Sequence, residues 1–276
     1  VTATFNMYGG KIDHNTGIGV KLDGTSGATT TFKMSGGTIS NNKGGVSTVG
    51  DTFTMSGGEI TSNTTNGNGG GVNIGNGGKF TMNAGAKITQ NTADYAGGGV
   101  YVSGGTFIMN GGEIKSNTAE TNGGGVYVTK VASSSNSAFT MNGGEVSGNI
   151  DTCTAAEECT IGGGAFYVMG GTLNIHGGSI IGNASYRGGA ITFHYGPYAR
   201  GTVNITGGTI TGNYCTSGDG GAIYMPTAAK STSGTTNDQI FDQTVNISGD
   251  PVITGNYKGA TDRKSTRLNS SHSARS

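Results

Sequence analysis

The chain contains 276 residues, of which 56 are glycine and only 3 are proline, and it has no tryptophan. This composition excludes collagen, which needs abundant proline, and a flexible Gly/Ser linker, because Phe, Met, Ile and Val recur at regular places. No apolar run approaches the roughly 20 residues of a membrane-spanning helix. The 16 basic and 16 acidic residues form no Lys/Arg stripe, so we expect neither a transmembrane helix nor a nucleic-acid partner.

A repeated motif begins near the N-terminus and continues through most of the chain. Its pattern is Phe-x-Met-x-Gly-Gly-x-Ile-x-x-Asn, with Leu or Val in place of Phe in the last three units, and successive starts lie 21 to 42 residues apart. A period of this size is typical of a solenoid, in which each repeat packs on its neighbours. The nine starts are Phe5, Phe32, Phe53, Phe80, Phe107, Phe139, Leu173, Val203 and Val245.

A second, glycine-rich block lies between most of these starts. It reads GGGVNI at 69–74, GGGVYV at 97–102 and 123–128, GGAFYV at 163–168, GGAITF at 188–193 and GGAIYM at 220–225. Apolar residues alternate within each short segment, as in a strand, and no segment is long enough for a stable helix. We therefore predict an all-β parallel β-helix over residues 1–261, with about nine coils (turns of the solenoid) and three short strands per coil.

Glycine and asparagine are placed to form the corners of each coil. Gly adopts positive φ without steric cost, and Asn is the other common residue that tolerates this region, so we expect both at sharp turns. The Asn that closes each motif would stack at about 4.8 Å per coil. Such amides can form a hydrogen-bonded ladder along the axis. The ladder residues are Asn15, Asn42, Asn63, Asn91, Asn117, Asn149, Asn183, Asn213 and Asn256.

Two of the repeated motifs resemble those of a known family. The motifs are GGAI at 188–191 and 220–223 and Phe-x-Met-Asn at 80–83, 107–110 and 139–142. They resemble the GGAI and FxxN repeats of the polymorphic outer-membrane proteins, which are autotransporter adhesins, and more broadly the chain is similar to bacterial surface proteins with right-handed parallel β-helix repeats. The resemblance extends from Phe5 to about Asn256. It implies a right-handed coil, an extracellular or cell-surface location, and an adhesin-like stalk or passenger that binds a glycan or host surface.

Candidate binding residues lie at the outward position of the third strand. That column reads Lys21, Ser47, Asn73, Tyr101, Tyr127, Tyr167, Thr192 and Tyr224. Consecutive tyrosines would form a flat aromatic strip on which sugar rings stack and to which sugar hydroxyls bond. Packing of like side chains on adjacent strands is the alternative interpretation, because Tyr is favoured in sheets.

Longer connections follow the third strand at 129–138, 194–202 and 226–244. Repeat proteins place function on the face where loops lengthen, so we expect a binding edge there, with surface decoration as the alternative. The second connection contributes Tyr195, Tyr198 and Arg200 as candidate binding residues.

A β-helix can also carry a polysaccharide lyase or a glycoside hydrolase, and this is the alternative function. Lyases need converging carboxylates with a basic residue, and hydrolases need a carboxylate pair about 5 to 10 Å apart. Asp13 and His14 fall on an ordinary motif turn, and Glu113 and Glu145 would be outward neighbours in a column with Glu59. A solvated outer face explains these residues, so we predict no catalytic residue, metal or cofactor.

The last residues, 262–276, lack the repeat and carry four basic residues against one acidic residue. They resemble the in-frame translation of a sequencing-library adapter, and we exclude them from the fold; a genuine basic tail is the alternative. Without them, 12 basic residues face 15 acidic ones, a net charge of −3. Because Val1 falls inside a repeat, we expect the repeat domain to be truncated at both ends.

The three cysteines are Cys153, Cys159 and Cys215. The first two bracket a short insertion, and neither spacing is typical of a zinc site. A small disulfide loop and three free thiols both remain open.

Overall fold

A computed structural model describes residues 2–24, 28–130, 137–153, 162–194, 201–226 and 243–259. All regular structure within these residues is β-strand. The strands form four parallel sheets, here called A, B, C and D, and each strand pairs with its counterparts in the neighbouring coils. A complete coil visits the sheets in the order A, B, D, C. The prediction of a parallel β-helix is therefore confirmed.

Each sheet collects one strand from successive coils. Sheet A contains Thr2–Met7, Thr29–Met34, Thr52–Met55, Lys79–Met82, Thr106–Met109, Ala138–Met141, Thr172–Ile175, Thr202–Ile205 and Thr244–Ile247. Sheet B contains Lys11–Asp13, Thr38–Ser40, Glu59–Thr61, Lys87–Thr89, Glu113–Lys115, Glu145–Ser147, Ser179–Ile181, Thr209–Thr211 and Val252–Thr254. Sheet C contains Val20–Asp23, Val46–Val49, Val72–Ile74, Val100–Ser103, Val126–Thr129, Phe166–Met169, Ile191–Phe193 and Ile223–Tyr224. Sheet D contains Thr64–Thr65, Thr92–Ala93, Thr118–Ala119, Ile150–Asp151, Ala184–Ser185, Tyr214–Cys215 and Tyr257–Lys258.

Sheet D adds a fourth strand to the three per coil that the sequence predicts. Its strands are two residues long and directly follow the ladder asparagines. Two residues cannot show an alternating pattern, so sequence periodicity could not reveal them.

Equivalent residues stack in register along the rod. In sheet A, Phe53 pairs with Phe32 on one side and Phe80 on the other, and the ring centroids lie 4.7 and 4.5 Å apart with nearly parallel planes. This spacing is close to the distance between paired strands, about 4.8 Å, so each ring packs on the next without distortion. The inward Phe and Met of sheet A, Ile of sheet B and Val of sheet C form one continuous core.

The ladder asparagines are hydrogen-bonded along the rod. Nδ2 of Asn117 donates to Oδ1 of Asn149 and to the carbonyl oxygen of Ile88, both at 3.0 Å. Its Oδ1 accepts from the backbone N–H and from Nδ2 of Asn91. The same amide-to-amide bond joins the whole series from Asn15 to Asn256. Buried polar groups are thereby satisfied inside the coil.

The left-handed residue of each turn precedes the ladder Asn, which corrects our expectation that the Asn itself occupies that region. The residues with φ of 54–56° are His14, Asn41, Ser62, Gln90 and Ser116. Glycines hold the same place in later coils, with φ of 59–65°: Gly148, Gly182, Gly212 and Gly255. The asparagine is therefore required for its side chain rather than for its backbone conformation.

The three consecutive glycines of a coil have different roles. Gly97 has a φ of 68°, which glycine adopts without strain. A Cβ on Gly98 would clash with the carbonyl oxygen of Thr118 in the next coil. A Cβ on the third position, Gly99, would lie 2.7 Å from the carbonyl oxygen of Gly125, but the buried Ala165 at the equivalent place before a later strand of sheet C shows that the fold can accommodate a methyl group there.

Candidate binding surfaces

The predicted tyrosine strip lies on the outer side of sheet C, but two of its rings are buried. Tyr101, Tyr127 and Tyr167 pair in register, with ring centroids 5.1 and 4.9 Å apart in stacked geometry. Only 8% of Tyr127 and 1% of Tyr167 is exposed, and Ala96 and Met169 pack against the stack. Rings lie on both faces of Tyr127 and on one face of Tyr167. The expectation of a flat exposed strip is therefore wrong for Tyr127 and Tyr167, which form a second small core with Ala96; Tyr101 is partly exposed.

The hydroxyl groups at the edge of this stack have partners. The hydroxyl of Tyr127 lies 2.9 Å from Sδ of Met169, and the hydroxyl of Tyr167 lies 2.6 Å from Nδ1 of His194. Burial raises the pKa of both tyrosines well above the ordinary value, and burial lowers the pKa of His194. All three groups are therefore neutral near pH 7, as expected for a packed cluster.

One carboxyl group is buried close to the tyrosine stack. Asp151 is 4% exposed, and its Oδ1 accepts a hydrogen bond from the backbone N–H of Cys153 at 2.9 Å. No described group donates to its Oδ2. Burial raises the pKa of Asp151 well above its ordinary value, and the carboxyl in turn helps to raise the pKa of Tyr167.

The other predicted binding residues are separate from this stack. Thr192 interrupts the column before Tyr224, which is partly exposed. The guanidinium carbon of Arg187 lies 5.3 Å from the ring centroid of Tyr224 and 5.4 Å from that of Tyr186, within the range of cation–π attraction. The remaining candidates of the second connection, Tyr195, Tyr198 and Arg200, lie outside the described residues.

A cleft opens beside sheet C where the tyrosine column gives way to smaller side chains. It has a volume of about 210 Å³, and its walls include Ser47, Asn73, Thr65, Asn68 and Ile18, together with glycine backbone. The lining contains no charged side chain. Sequence reasoning missed this site, although the change from Tyr to Ser and Asn at one register position was a usable signal.

The carboxylates considered for catalysis have structural partners. Asp13 accepts hydrogen bonds from Ser40 Oγ at 2.8 Å and Asn41 Nδ2 at 2.9 Å, and it lies 2.8 Å from Nδ1 of His14. The hydrogen bonds from Asn41 and Ser40 are the main causes that lower the pKa of Asp13 to about 2. His14 occupies the left-handed turn position common to the early coils. Asp13 and His14 are therefore explained as hydrogen-bonded residues of a turn.

The predicted glutamate column lies on the outer face of sheet B. Glu113 pairs in register with Glu145 on one side and with Lys87 on the other. Glu59 pairs with Lys87 and accepts a hydrogen bond from Thr89 Oγ1 at 2.6 Å. These glutamates are partly exposed, so solvent screens their charges.

The cysteines differ in state. Cys153 is disulfide-bonded, and Cys215 is a free, buried thiol; Cys159 lies outside the described residues.

Among the described residues, no three His, Cys, Asp or Glu side chains are grouped so that they could hold a metal ion. The described part of the chain contains no helix that could span a membrane.

Comparison of the chain with protein-family models, with curated proteins and with solved structures found no match.

Proposed function

We propose that this chain is an extracellular or cell-surface, adhesin-like β-helix stalk that binds a glycan or a host surface. The observation that carries the proposal is a regular rod in which three of the four longest connections between described strands lie at one corner; the fourth, at 152–165, joins sheet D to sheet C. Segments 131–136, 195–200 and 227–242 each connect a strand of sheet C to the next strand of sheet A. All three therefore leave and rejoin the rod at equivalent places. Repeat proteins use such a variable edge for binding, on a scaffold that stays constant.

The described rod suits a stalk. Sheets A and B continue through nine strands each, and the asparagine ladder joins every coil to the next. Nine coils at about 4.8 Å each extend about 40 Å. Weak contacts that repeat along such a rod combine into strong attachment when a polymeric ligand engages several coils.

Affinity electrophoresis of the full chain through native gels that contain different polysaccharides tests this proposal. We expect retardation in at least one gel, with the polymer intact when the gel is stained. A variant in which each of the three long connections is replaced by a Gly-Gly turn measures their contribution to this retardation. That turn is native to the fold, because Gly104 and Gly105 alone join Val100–Ser103 to Thr106–Met109.

Two results would contradict the proposal. Cleared polymer along the protein's path would show a polysaccharide-degrading enzyme instead. Free migration in every gel, combined with no attachment to host-cell or matrix surfaces, would leave a spacer without binding activity.

A further inference from the structure

We infer that the cleft beside sheet C, between the first three coils, binds a single ring of a neutral sugar. This inference rests on the proposed function that the rod binds glycans, and it names the place and the class of ligand. The cleft lies on the outer side of sheet C, in the coils that precede the tyrosine stack. Ser47, Asn73, Tyr101 and Tyr127 follow one another at the same register position.

The shape of the cleft follows from the side chains that cover the outer side of sheet C in the later coils. In the later coils the rings of Tyr101 and Tyr127 lie over sheet C and stack at 5.1 Å. In the earlier coils Ser47 and Asn73 project from the same positions but are too short to fill that space, and a cleft of about 210 Å³ remains. Pockets for drug-sized molecules have about 300 to 1,000 Å³. The vacant space therefore suits one ring rather than a larger ligand.

The polar groups of the cleft suit hydroxyl groups. Asn73 is held by a hydrogen bond from its Nδ2 to the carbonyl oxygen of Asn68 at 3.2 Å, and no described residue donates to its Oδ1. Oδ1 of Asn68 accepts from the backbone N–H of Ala96 at 3.1 Å, which leaves its Nδ2 as a donor without a described partner. Ser47 supplies a hydroxyl that can donate or accept. These groups offer both donors and acceptors to vicinal hydroxyls.

The rest of the lining determines the charge and polarity of the ligand. Ile18 is 43% exposed and lines the cleft, so it offers an apolar contact for the C–H face of a sugar ring. The lining contains no charged side chain that would pair with a carboxylate or a phosphate. Burial of an unpaired anion is costly, so a neutral sugar fits the cleft better than a uronic acid.

The test is a variant that continues the native tyrosine stack into the cleft. Asn73→Tyr places a ring one register position before Tyr101 and fills the vacant space, while the flanking Val72 and Ile74 stay in the core. Thr81→Tyr is the matched control, because Thr81 is also partly exposed and lies between two buried residues, but on sheet A. Far-UV circular dichroism and urea unfolding establish that both variants fold as the parent does.

Binding is measured by saturation-transfer NMR and titration calorimetry with four probes. These are the methyl glycosides of glucose, galactose and mannose, and galacturonic acid as the charged comparison. We expect the parent and Thr81→Tyr to bind at least one neutral glycoside more tightly than galacturonic acid. We expect Asn73→Tyr to lose at least tenfold in affinity, and Ile18→Ser to weaken binding with the fold intact.

Each other outcome has a defined meaning. If a folded Asn73→Tyr variant binds the neutral glycoside as the parent does, or if galacturonic acid binds best, the cleft assignment is wrong. If no glycoside binds but polysaccharide gels still retard the chain, the cleft assignment fails and the proposed function stands. If neither glycosides nor polymers nor host surfaces bind, both fail.

Discussion

Replacing Asn117 with Ala should be among the most damaging single changes in the middle of the rod. Its side chain donates hydrogen bonds to Ile88 and Asn149 and accepts two from Asn91, at 2.9–3.0 Å. Asn117 has no exposed surface. Each bond contributes about 1 kcal/mol net, so the variant should lose about 4 kcal/mol of the free energy of unfolding. With an m-value of about 3 kcal/mol/M, the urea midpoint should fall by about 1.3 M.

Asn15→Ala is the matched control at the first coil. The Asn15 side chain is exposed and donates one hydrogen bond, to Oδ1 of Asn42 at 2.8 Å, so its loss should cost less than about 1 kcal/mol. Urea unfolding followed by far-UV circular dichroism gives both values. If Asn117→Ala costs no more than Asn15→Ala, the amide ladder does not stabilise the rod and the reasoning is refuted.

Four further substitutions test the turns and the buried cluster by the same urea assay. Gly98→Ala should cost more than about 2 kcal/mol, because its Cβ would clash with the carbonyl oxygen of Thr118 and lie 2.6 Å from that of Gly124. Gly99→Ala, with one backbone contact of 2.7 Å to Gly125, should cost clearly less; equal costs would contradict the separate glycine roles. Asp151→Asn should stabilise the chain at pH 7. Burial raises the pKa of Asp151 in the folded state. The contribution of Asp151 to the free energy of unfolding is therefore fully present below the unfolded pKa of about 3.9. That contribution declines by about 1.4 kcal/mol for each pH step of one between the unfolded and the folded pKa. If the free energy of unfolding of Asp151→Asn depends on pH as that of the parent does, this reasoning is wrong. Tyr167→Phe removes the hydrogen bond to His194 and should cost about 1 kcal/mol; a neutral effect would show that the bond adds nothing.

The core and the ladder could be predicted from the sequence because each coil repeats the same choices. Phe53 and Phe80 occupy the same place in successive motifs, and parallel strands in register must then bring the two side chains together. The same argument applies to Asn91 and Asn117. A strand of two residues has no periodicity, so the fourth sheet left no signal of this kind.

The outer side of sheet C required the tertiary structure. Alternation within a strand shows that Tyr127 and Tyr167 face away from the main core, but it does not show what lies on that side. Ala96, in the connection from sheet D to sheet C, packs against the stack, and the tyrosines become a second core. The vacant space beside Ser47 likewise depends on which residues of three coils meet around it.

The repeat, the inward residues and the asparagine ladder follow from the sequence alone, because these depend on local spacing and on the stacking of identical units. Tertiary structure decided which outward residues are exposed. Exposure depends on how the connections between strands fold over neighbouring coils, and that packing is not encoded in the period of the motif. The candidate binding site therefore lies where the smaller side chains of Ser47 and Asn73 precede the first ring of the tyrosine column.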